Sequence, residues 1–334
     1  MEIVFILLFS SLLSFLLCSA YINLFKFYLP IDVPNDRSAH KEATYNGAGV
    51  GVLISIYISL FITFYFDLIG REFLIYTTLS SWFIAIISFI DDYRPQTPLS
   101  RLAIQLIAIF LFLYFIYPLP DLYFFGNYIE VGLLGIVLSF FLLMWIVNLF
   151  NFMDGINGIT SLEVISFSIS LIVSFYILEI LTDLYLVLSI IAGTCLGFLP
   201  LNFPKAKVFL GDVGSCTLGF LIGCLIFLAS LEDSKLFWVS FIFLGIYIVD
   251  TTYTLFYRIF TGQKFYVAHS HHGYQIASKK LNSHTKVSVL VFAINICWLL
   301  PLGLISLVGY FDPLLSLIIS YTPLILLRKR LGNV

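Results

Sequence analysis

The sequence predicts an all-α polytopic membrane protein, because of its composition and the length of its apolar runs. Of its 334 residues, 60% are hydrophobic and 11% charged, a composition unlike that of soluble globular domains. Apolar runs of roughly 17–23 residues recur along the chain, and each can cross a hydrocarbon layer about 30 Å thick. About eleven such runs are present, near residues 3–24, 49–69, 73–90, 102–118, 132–148, 159–177, 184–201, 213–231, 236–256, 287–309 and 313–327.

Lysine and arginine predict the orientation of these runs. With the N-terminus outside, all of the 17 basic residues except Arg71 and Lys235 fall on the cytoplasmic side, as the positive-inside rule requires. The first run has Glu2 and no basic region before it, so it is interpreted as a span and not as a signal peptide. The prediction is a single membrane domain over residues 1–334 with an outside N-terminus and a cytoplasmic C-terminus.

The stretch 148–158 lies between two apolar runs and carries three polar side chains at intervals of three residues, Asn148, Asn151 and Asp154. This spacing places them about one helical turn apart, so all three can face one cavity. Glycines at 155 and 158 let the backbone turn tightly and approach a ligand. Polar groups kept close to a bilayer usually mark a substrate site, although a solvated turn between two spans is the alternative interpretation.

The first predicted cytoplasmic loop places Asp32, Arg37 and His40 within nine residues, shortly before the glycines of 47–51. Glycine at a helix N-terminus can bind an anion, while an ordinary solvated loop remains the alternative.

Asp91 and Asp92 end the third apolar run, and Arg101 and Gln105 follow on one face of the next helix. Adjacent carboxylates repel each other unless a cation compensates. The pair therefore indicates a metal or phosphate site, with a solvated helix end as the alternative.

The sequence Gly211-Asp212-Val213-Gly214-Ser215 stands directly before another apolar run. It offers a carboxylate, flexible backbone and a hydroxyl at a helix N-terminus, which together could hold a metal and a phosphate. Phe209 could stack on a nucleotide base, although aromatic residues at a membrane interface are commonly anchors.

The last polar region combines Asp250 inside the ninth run with the histidines at 269, 271, 272 and 284. Thr254 and Arg258 share a helix face with Asp250, so an Asp250–Arg258 pair reaching the surface is one interpretation. The histidine spacing does not fit a typical zinc site, and donation to phosphate oxygens fits better beside so many carboxylates.

All of these clusters fall on the predicted cytoplasmic side, whereas a transporter would need polar residues near the bilayer midplane. Chemistry confined to one membrane face indicates an enzyme that joins a soluble substrate to a membrane lipid, with its active site in the cytoplasmic loops.

The motifs resemble, in order, those of the polyprenyl-phosphate N-acetylhexosamine-1-phosphate transferases. The matching positions are Asp32-x-Pro-Asn-x-Arg37-Ser-x-His40, Asp91-Asp92 with Arg101 and Gln105, Asn148-x-x-Asn151-x-x-Asp154-Gly, Asn202 with Phe209-Leu-Gly-Asp212-x-Gly-Ser, and Asp250 with the histidine loop. Family members often have arginine where this chain has Asn46 and aspartate where it has Asn157. Ala268-His269-x-x-His272-x-Tyr274-Gln275 is most similar to the subfamily that initiates O-antigen synthesis with 6-deoxy-N-acetylhexosamines, which makes His271 incidental.

The resemblance implies transfer of an N-acetylhexosamine-1-phosphate from a UDP-sugar to undecaprenyl phosphate, with release of UMP. The alternatives are the phospho-MurNAc-pentapeptide transferase of peptidoglycan synthesis and a non-catalytic protein that binds or transports a lipid-linked sugar. It implies Mg²⁺ as cofactor, with Mn²⁺ as a substitute, and location in the inner membrane. A homodimer is compatible with the family, and no nucleic-acid partner is expected.

The resemblance also implies roles for individual residues. The expected metal ligands are Asp212, Asp92 and Asp154, and the expected catalytic residues are Asp91, Asp92, Asp154, His269 and His272. The expected substrate-binding residues are Asn148, Asn151, Asn202, Phe209, Arg101, His40 and Arg37.

Overall fold

A computed structural model describes residues 2–33, 43–264 and 270–332 of the chain. Long apolar segments form helices here because a backbone that crosses hydrocarbon must satisfy its own hydrogen bonds. The helices are α1 (Glu2–Phe25), α2 (Gly49–Tyr65), α3 (Arg71–Tyr93), α4 (Pro98–Phe115), α5 (Gly132–Met153), α6 (Ile159–Ile177), α7 (Leu184–Asn202), α8 (Gly211–Glu232), α9 (Lys235–Phe243), α10 (Gly245–Phe260), α11 (Gly273–Leu281), α12 (His284–Ile294), a π-helix (Asn295–Leu299), α13 (Leu300–Leu307) and α14 (Pro313–Leu331).

Two short antiparallel ribbons complete the described fold. Strands β1 (Ile31–Asp32) and β2 (Thr44–Tyr45) pair in one ribbon, and β3 (Leu122–Phe124) and β4 (Asn127–Ile129) in the other. The first ribbon lies beside the segment before α8, because Phe209 N donates to Tyr45 O at 2.8 Å. This contact brings the first predicted loop against the Gly211–Ser215 motif.

Within the described residues, eight helical segments are long and apolar enough to cross a membrane, or nine if the bent pair α9 and α10 forms one span. This confirms a mostly helical polytopic architecture, while eleven spans and the orientation stay predictions. The run at 236–256 is not one straight helix, because α9 and α10 meet at an angle of 74°. At this break Gly245 lies so close to Leu299 and Tyr321 that a Cβ would be 3.2 Å from each side chain.

The core is built around α8, which is enclosed by α2, α3, α5 and α9. Every residue of its membrane-spanning window is buried inside the protein. Asp212 lies in the first turn of α8, which begins at Gly211. The central position of α8 therefore places Asp212 near the axis of the helix bundle, at one of its ends.

The membrane interior also contains a polar pair that the sequence analysis missed. Glu163 in the second turn of α6 is fully buried, and its Oε2 accepts a hydrogen bond of 2.6 Å from Asn295 Nδ2 in the π-helix. The same amide donates to Ser166 Oγ at 2.9 Å. A π-helix of this kind often marks a local functional or packing constraint. The spans are therefore less uniformly apolar than the pattern at 159–177 and 287–309 indicates.

Candidate active site

A cavity of about 160 Å³ gathers residues from three separate motifs. It lies where α5 ends and α8 begins. Asp32 and Asn46 from the first loop also line it. The predicted site residues on its wall are Asn151, Asp154, Asn202, Phe209 and Asp212.

The start of α8 is held by Asp92 at the end of α3. The Asp92 carboxylate accepts hydrogen bonds from the backbone N–H of Asp212 at 2.9 Å and of Val213 at 3.1 Å. Gly211 has a φ of +78°, and a Cβ there would lie 2.7 Å from Asp92 Oδ2 and 3.0 Å from Asn46 Oδ1. Glycine is thus required by both conformation and space.

This arrangement changes the interpretation of the Gly-Asp-x-Gly-Ser motif. The first free N–H groups of a helix are natural anion donors, but two of them already donate to Asp92. The motif therefore holds a protein carboxylate with these groups, and the predicted phosphate cradle cannot use the N–H of Asp212 or Val213 while Asp92 is in place.

The Asp212 side chain is oriented by neighbours of opposite or neutral charge. Asn151 Nδ2 donates to Asp212 Oδ1 at 2.8 Å and to Ser215 Oγ at 3.3 Å. Arg101 Nη1 lies 3.6 Å from Asp212 Oδ2 and 2.8 Å from Asp91 Oδ2. Arg101 therefore bridges two carboxylates, which gives it a defined place in the site before any substrate contact.

Asp154 immediately follows α5 and is half-buried on the cavity wall. Burial raises the pKa of its carboxyl to about 8; a hydrogen bond from the Thr160 hydroxyl acts in the opposite direction, and the charges of Asp212 and Asp92 raise it further. Asp154 therefore stays protonated near neutral pH until a cation enters the cavity and favours its ionised form.

The donor chemistry of this cavity fits Mg²⁺. Across the described segments, no three His, Cys, Asp or Glu side chains form a closed metal-binding group. Mg²⁺ rarely uses such a cage, since it prefers oxygen ligands and is typically held by one or two carboxylates together with substrate phosphates and water. Asp154 and Asp212 provide two carboxylates on the wall, whereas both oxygens of Asp92 already accept backbone hydrogen bonds.

Two of the predicted nucleotide-binding amides have structural partners. Asn202, 7% exposed, accepts from Gly158 N at 2.6 Å and donates to Val208 O at 2.9 Å, so it ties the central stretch to the loop before α8. Asn148 donates to Met144 O of its own helix at 2.7 Å. Among the described residues that line the cavity, Asn148 is not included, so the structure does not place it with Asn151 and Asp154.

His272 stands at the start of α11 and packs on the central stretch. Its ring stacks on Phe152, with 6.0 Å between centroids. The hydroxyl of Tyr274 donates to Phe152 O at 2.9 Å. Burial lowers the pKa of His272, with the charge of Asp250 opposing this effect, so the imidazole is neutral near pH 7.

Asp250 pairs with Arg328, and the Asp250–Arg258 pair that one interpretation of the sequence offered is not found among the contacts of the described residues. The Asp250 carboxylate accepts from Gly273 N at 2.6 Å, from Tyr274 N at 2.9 Å and from Arg328 Nε at 3.1 Å. Arg258 instead contacts His271 Nδ1 at 3.2 Å. Sequence spacing on α10 brought Asp250 and Arg258 to one face but could not show that α14 supplies a second arginine.

Several other sequence-derived residues are also located. Asn157 donates to Pro204 O at 3.0 Å and lies 3.2 Å from His284 Nδ1, so this family departure joins two loops outside the cavity wall. Arg37, His40 and His269 lie outside the described residues.

Comparison with known proteins agrees with the motif order. Residues 73–230 match the profile of glycosyl transferase family 4. A phospho-N-acetylmuramoyl-pentapeptide-transferase of Streptococcus agalactiae is 37% identical over 175 residues, covering 47% of this chain and 50% of that protein. A Streptococcus thermophilus protein of the same name is 30% identical over 225 residues, covering 61% and 63%.

A third relative is an enzyme of a different name. The decaprenyl-phosphate N-acetylglucosaminephosphotransferase of Mycolicibacterium smegmatis is 28% identical over 213 residues, covering 57% of this chain and 51% of that protein. The chain thus spans between 50% and 63% of the length of these three relatives. The segment that contains Asp91, Asp92, Asp154 and Asp212, residues 73–230, is similar to glycosyl transferase family 4, and it lies in a chain with eight helices long and apolar enough to cross a membrane among its described residues.

Proposed function

We propose that this protein transfers an N-acetylhexosamine-1-phosphate from a UDP-sugar to undecaprenyl phosphate in the inner membrane. A lipid phosphate oxygen attacks the β-phosphorus, the bond from that phosphorus to the bridging oxygen breaks, and UMP leaves. The observation that carries the proposal is the cavity in which Asn151, Asp154 and Asp212 converge inside the family segment.

Charge neutralisation is the main catalytic task, because the nucleophile and the electrophile are both anionic. Asp154 and Asp212 would hold Mg²⁺, which would offset the charge that develops on the phosphoryl oxygens. Asn151 keeps the Asp212 carboxylate pointed into the cavity through its 2.8 Å hydrogen bond. Mn²⁺ offers similar oxygen chemistry and is expected to substitute.

The lipid phosphate needs no strong general base. The second pKa of a phosphate monoester is about 6, so most of it is ionised near neutral pH. Asp91 is engaged by Arg101 at 2.8 Å and by Gln96 N at 2.5 Å. We assign Asp91 the task of holding Arg101, which then positions anionic groups, and we assign no proton transfer to it.

The nucleotide is assigned to the cavity wall, and the pyrophosphate to a histidine that packs beside the central stretch 148–158. Phe209 lines the cavity beside Asn202 and offers a ring on which uracil can stack. The neutral His272 ring, held on Phe152, can donate one N–H to the pyrophosphate. His269, His40 and Arg37 are proposed to contribute further phosphate contacts, as the motif order implies.

Two donor classes are proposed for this reaction. The histidine-loop sequence favours a 6-deoxy-N-acetylhexosamine, with O-antigen as the product pathway. The names of the streptococcal relatives favour UDP-MurNAc-pentapeptide and peptidoglycan. The transferred group is a sugar-1-phosphate in both cases, so one assay distinguishes them.

The test is UMP release by purified protein in detergent with Mg²⁺, undecaprenyl phosphate and a panel of UDP-N-acetylhexosamines that includes UDP-MurNAc-pentapeptide. Release should require both lipid and metal and should fall by about 10²–10³-fold in Asp212→Asn, the usual effect of removing a charge-stabilising group. Asp183→Asn, which changes a carboxylate bonded to Gly70 N, serves as the matched control. A folded, lipid-binding protein that releases no UMP with any donor would support the non-catalytic alternative and overturn this proposal.

A further inference from the structure

Arg328 near the end of α14 is a buried arginine with partners on three parts of the chain. It is 3% exposed. Its Nε donates to Asp250 Oδ1 at 3.1 Å, and its Nη2 donates to Thr254 Oγ1 at 3.1 Å and to His271 O at 2.7 Å. A buried cation with this many directed bonds fixes the groups around it, because breaking one leaves uncompensated charge.

These contacts extend to the backbone that carries His272. Asp250 uses the same carboxylate to accept from Gly273 N at 2.6 Å and from Tyr274 N at 2.9 Å, which caps the start of α11. Arg328 therefore holds the residue before His272 through the His271 carbonyl and the two residues after it through Asp250. Both sides of His272 are fixed by one guanidinium.

The packing leaves little freedom for this arrangement to change. A Cβ at Gly273 would lie 2.7 Å from Arg328 Cδ. The guanidinium also lies over the ring of Tyr253, 4.8 Å from its centroid, a favourable cation–π geometry. Lysine could supply the charge at this position but not the fork of donors that reaches Asp250, Thr254 and His271 together.

We infer that Arg328 is a positioning residue that locks the His271–Tyr274 backbone and thereby fixes the His272 ring against Phe152 of the central stretch. The catalytic part of this inference rests on the proposed function. The C-terminal helix is then a part of the active-site framework, although its arginine touches neither the cavity wall nor a predicted substrate group.

The first experiment measures amide hydrogen exchange of peptides covering 270–281 in purified wild type, Arg328→Gln, Arg328→Lys and Arg330→Gln. Arg330 is exposed on the same helix, so it is the matched control. Exchange should speed up at least about tenfold in Arg328→Gln, less in Arg328→Lys, and remain unchanged in Arg330→Gln, since local opening governs exchange of capped amides. Unchanged exchange in Arg328→Gln would overturn the inference without reference to activity.

The second experiment is a double-mutant cycle on UMP release. Arg328→Gln should lower kcat by about tenfold or more with the KM for lipid within about twofold, and should cost less than about threefold in a His272→Ala background, because coupled groups are non-additive. Equal losses in both backgrounds would indicate a general structural effect and would overturn the inference. If Arg328→Gln does not fold, Arg328→Lys, which retains the buried charge, is used in the same cycle.

The two proposals can fail separately. Wild-type protein that shows no UMP release defeats the proposed function, while the exchange experiment still decides the role of Arg328. Release by wild type together with additive kinetics defeats only the positioning role.

Discussion

Asp92→Asn distinguishes a carboxylate that holds a helix from one that mainly binds a metal. The substitution keeps the size of the side chain but replaces one acceptor oxygen by an NH₂ group. In the structure both oxygens of Asp92 accept from the start of α8, at 2.9 Å and 3.1 Å. Asparagine can retain one of these bonds through its oxygen, but its NH₂ group would face the second backbone N–H, so that two donors would oppose each other.

The size of the effect follows from these two bonds. A hydrogen bond to a charged group contributes about 1.5–3 kcal/mol, and a negative charge at a helix N-terminus about 0.3–1 kcal/mol. Removing a charge that repels Asp212 opposes this loss, so the net destabilisation should be about 1–3 kcal/mol. For a chain of this size, with an unfolding entropy of about 2.1 cal/mol/K per residue, that corresponds to a drop of about 1.5–4.5 °C in Tm.

Activity should fall together with stability, because α8 carries Asp212 into the cavity. A displacement of about 1 Å at a reacting group can cost about 10²-fold in rate. Thermal unfolding in detergent and UMP release are measured on the same preparations of Asp92→Asn, Asp212→Asn and Asp183→Asn. The last variant changes a half-buried carboxylate that accepts from Gly70 N at 2.9 Å. Because asparagine keeps an acceptor oxygen, Tm should change by less than about 1 °C.

The outcome for Asp92→Asn decides the interpretation. A Tm within about 1 °C of wild type would refute the argument that Asp92 caps α8, whatever the activity. Loss of activity with an unchanged Tm would instead assign Asp92 to the metal site, as the family motif implies.

Three further predictions concern the same end of the bundle. Gly155→Ala should destabilise the protein by about 1–3 kcal/mol, because the new Cβ would lie 2.2 Å from the Tyr274 hydroxyl oxygen. The control Gly70→Ala should leave Tm unchanged, because the atom nearest to its Cβ would be 3.7 Å away. Burial raises the pKa of Asp154 to about 8, so the folded metal-free protein keeps a proton that the unfolded chain releases near pH 4. Its stability should therefore fall as pH rises between about 4 and 8. Asp154→Asn should flatten that fall, which is measured by thermal unfolding with chelator from pH 5 to 8. Glu163→Gln keeps an acceptor for the Asn295 amide on the π-helix, so its Tm should lie within about 2 °C of that of the wild type. Glu163→Leu removes this acceptor, so its free energy of unfolding should fall by about 1–3 kcal/mol. Equal melting of the two Glu163 variants would show that this hydrogen bond contributes little.

The sequence predicted the convergence of Asn151, Asp154 and Asp212 for a physical reason. A polar group that ends an apolar run must lie near the membrane surface, so motifs at run ends are confined to two thin layers. Once the runs were placed, these motifs fell in one layer, and helix packing had only to bring α5 and α8 together. In the structure these three residues line one cavity.

Other contacts could not be predicted, because the spacing of residues along the sequence is compatible with more than one arrangement in space. Residues three apart on a helix differ by about 60° in direction, so the spacing of Asn148 and Asn151 does not decide whether both face one cavity. Asn148 bonds to its own helix instead. Arg328 is one basic residue in a basic C-terminal segment, and the positive-inside rule accounts for every member of that segment equally. Only tertiary contact with Asp250 separates it from its neighbours.

Asp92 and Asp250 perform the same task at two helix starts. Each comes from a neighbouring helix and accepts two backbone N–H groups, Asp92 from α8 and Asp250 from α11. At the cavity, the N-terminus of α8 is therefore already occupied by a protein carboxylate. Under the proposed function, phosphates that enter would be bound by side chains and by a cation held on Asp154 and Asp212 of the wall. The acidic motifs of this chain thus have two structural roles, since Asp92 and Asp250 cap helices while Asp154 and Asp212 line the cavity, and position in the sequence alone does not separate them.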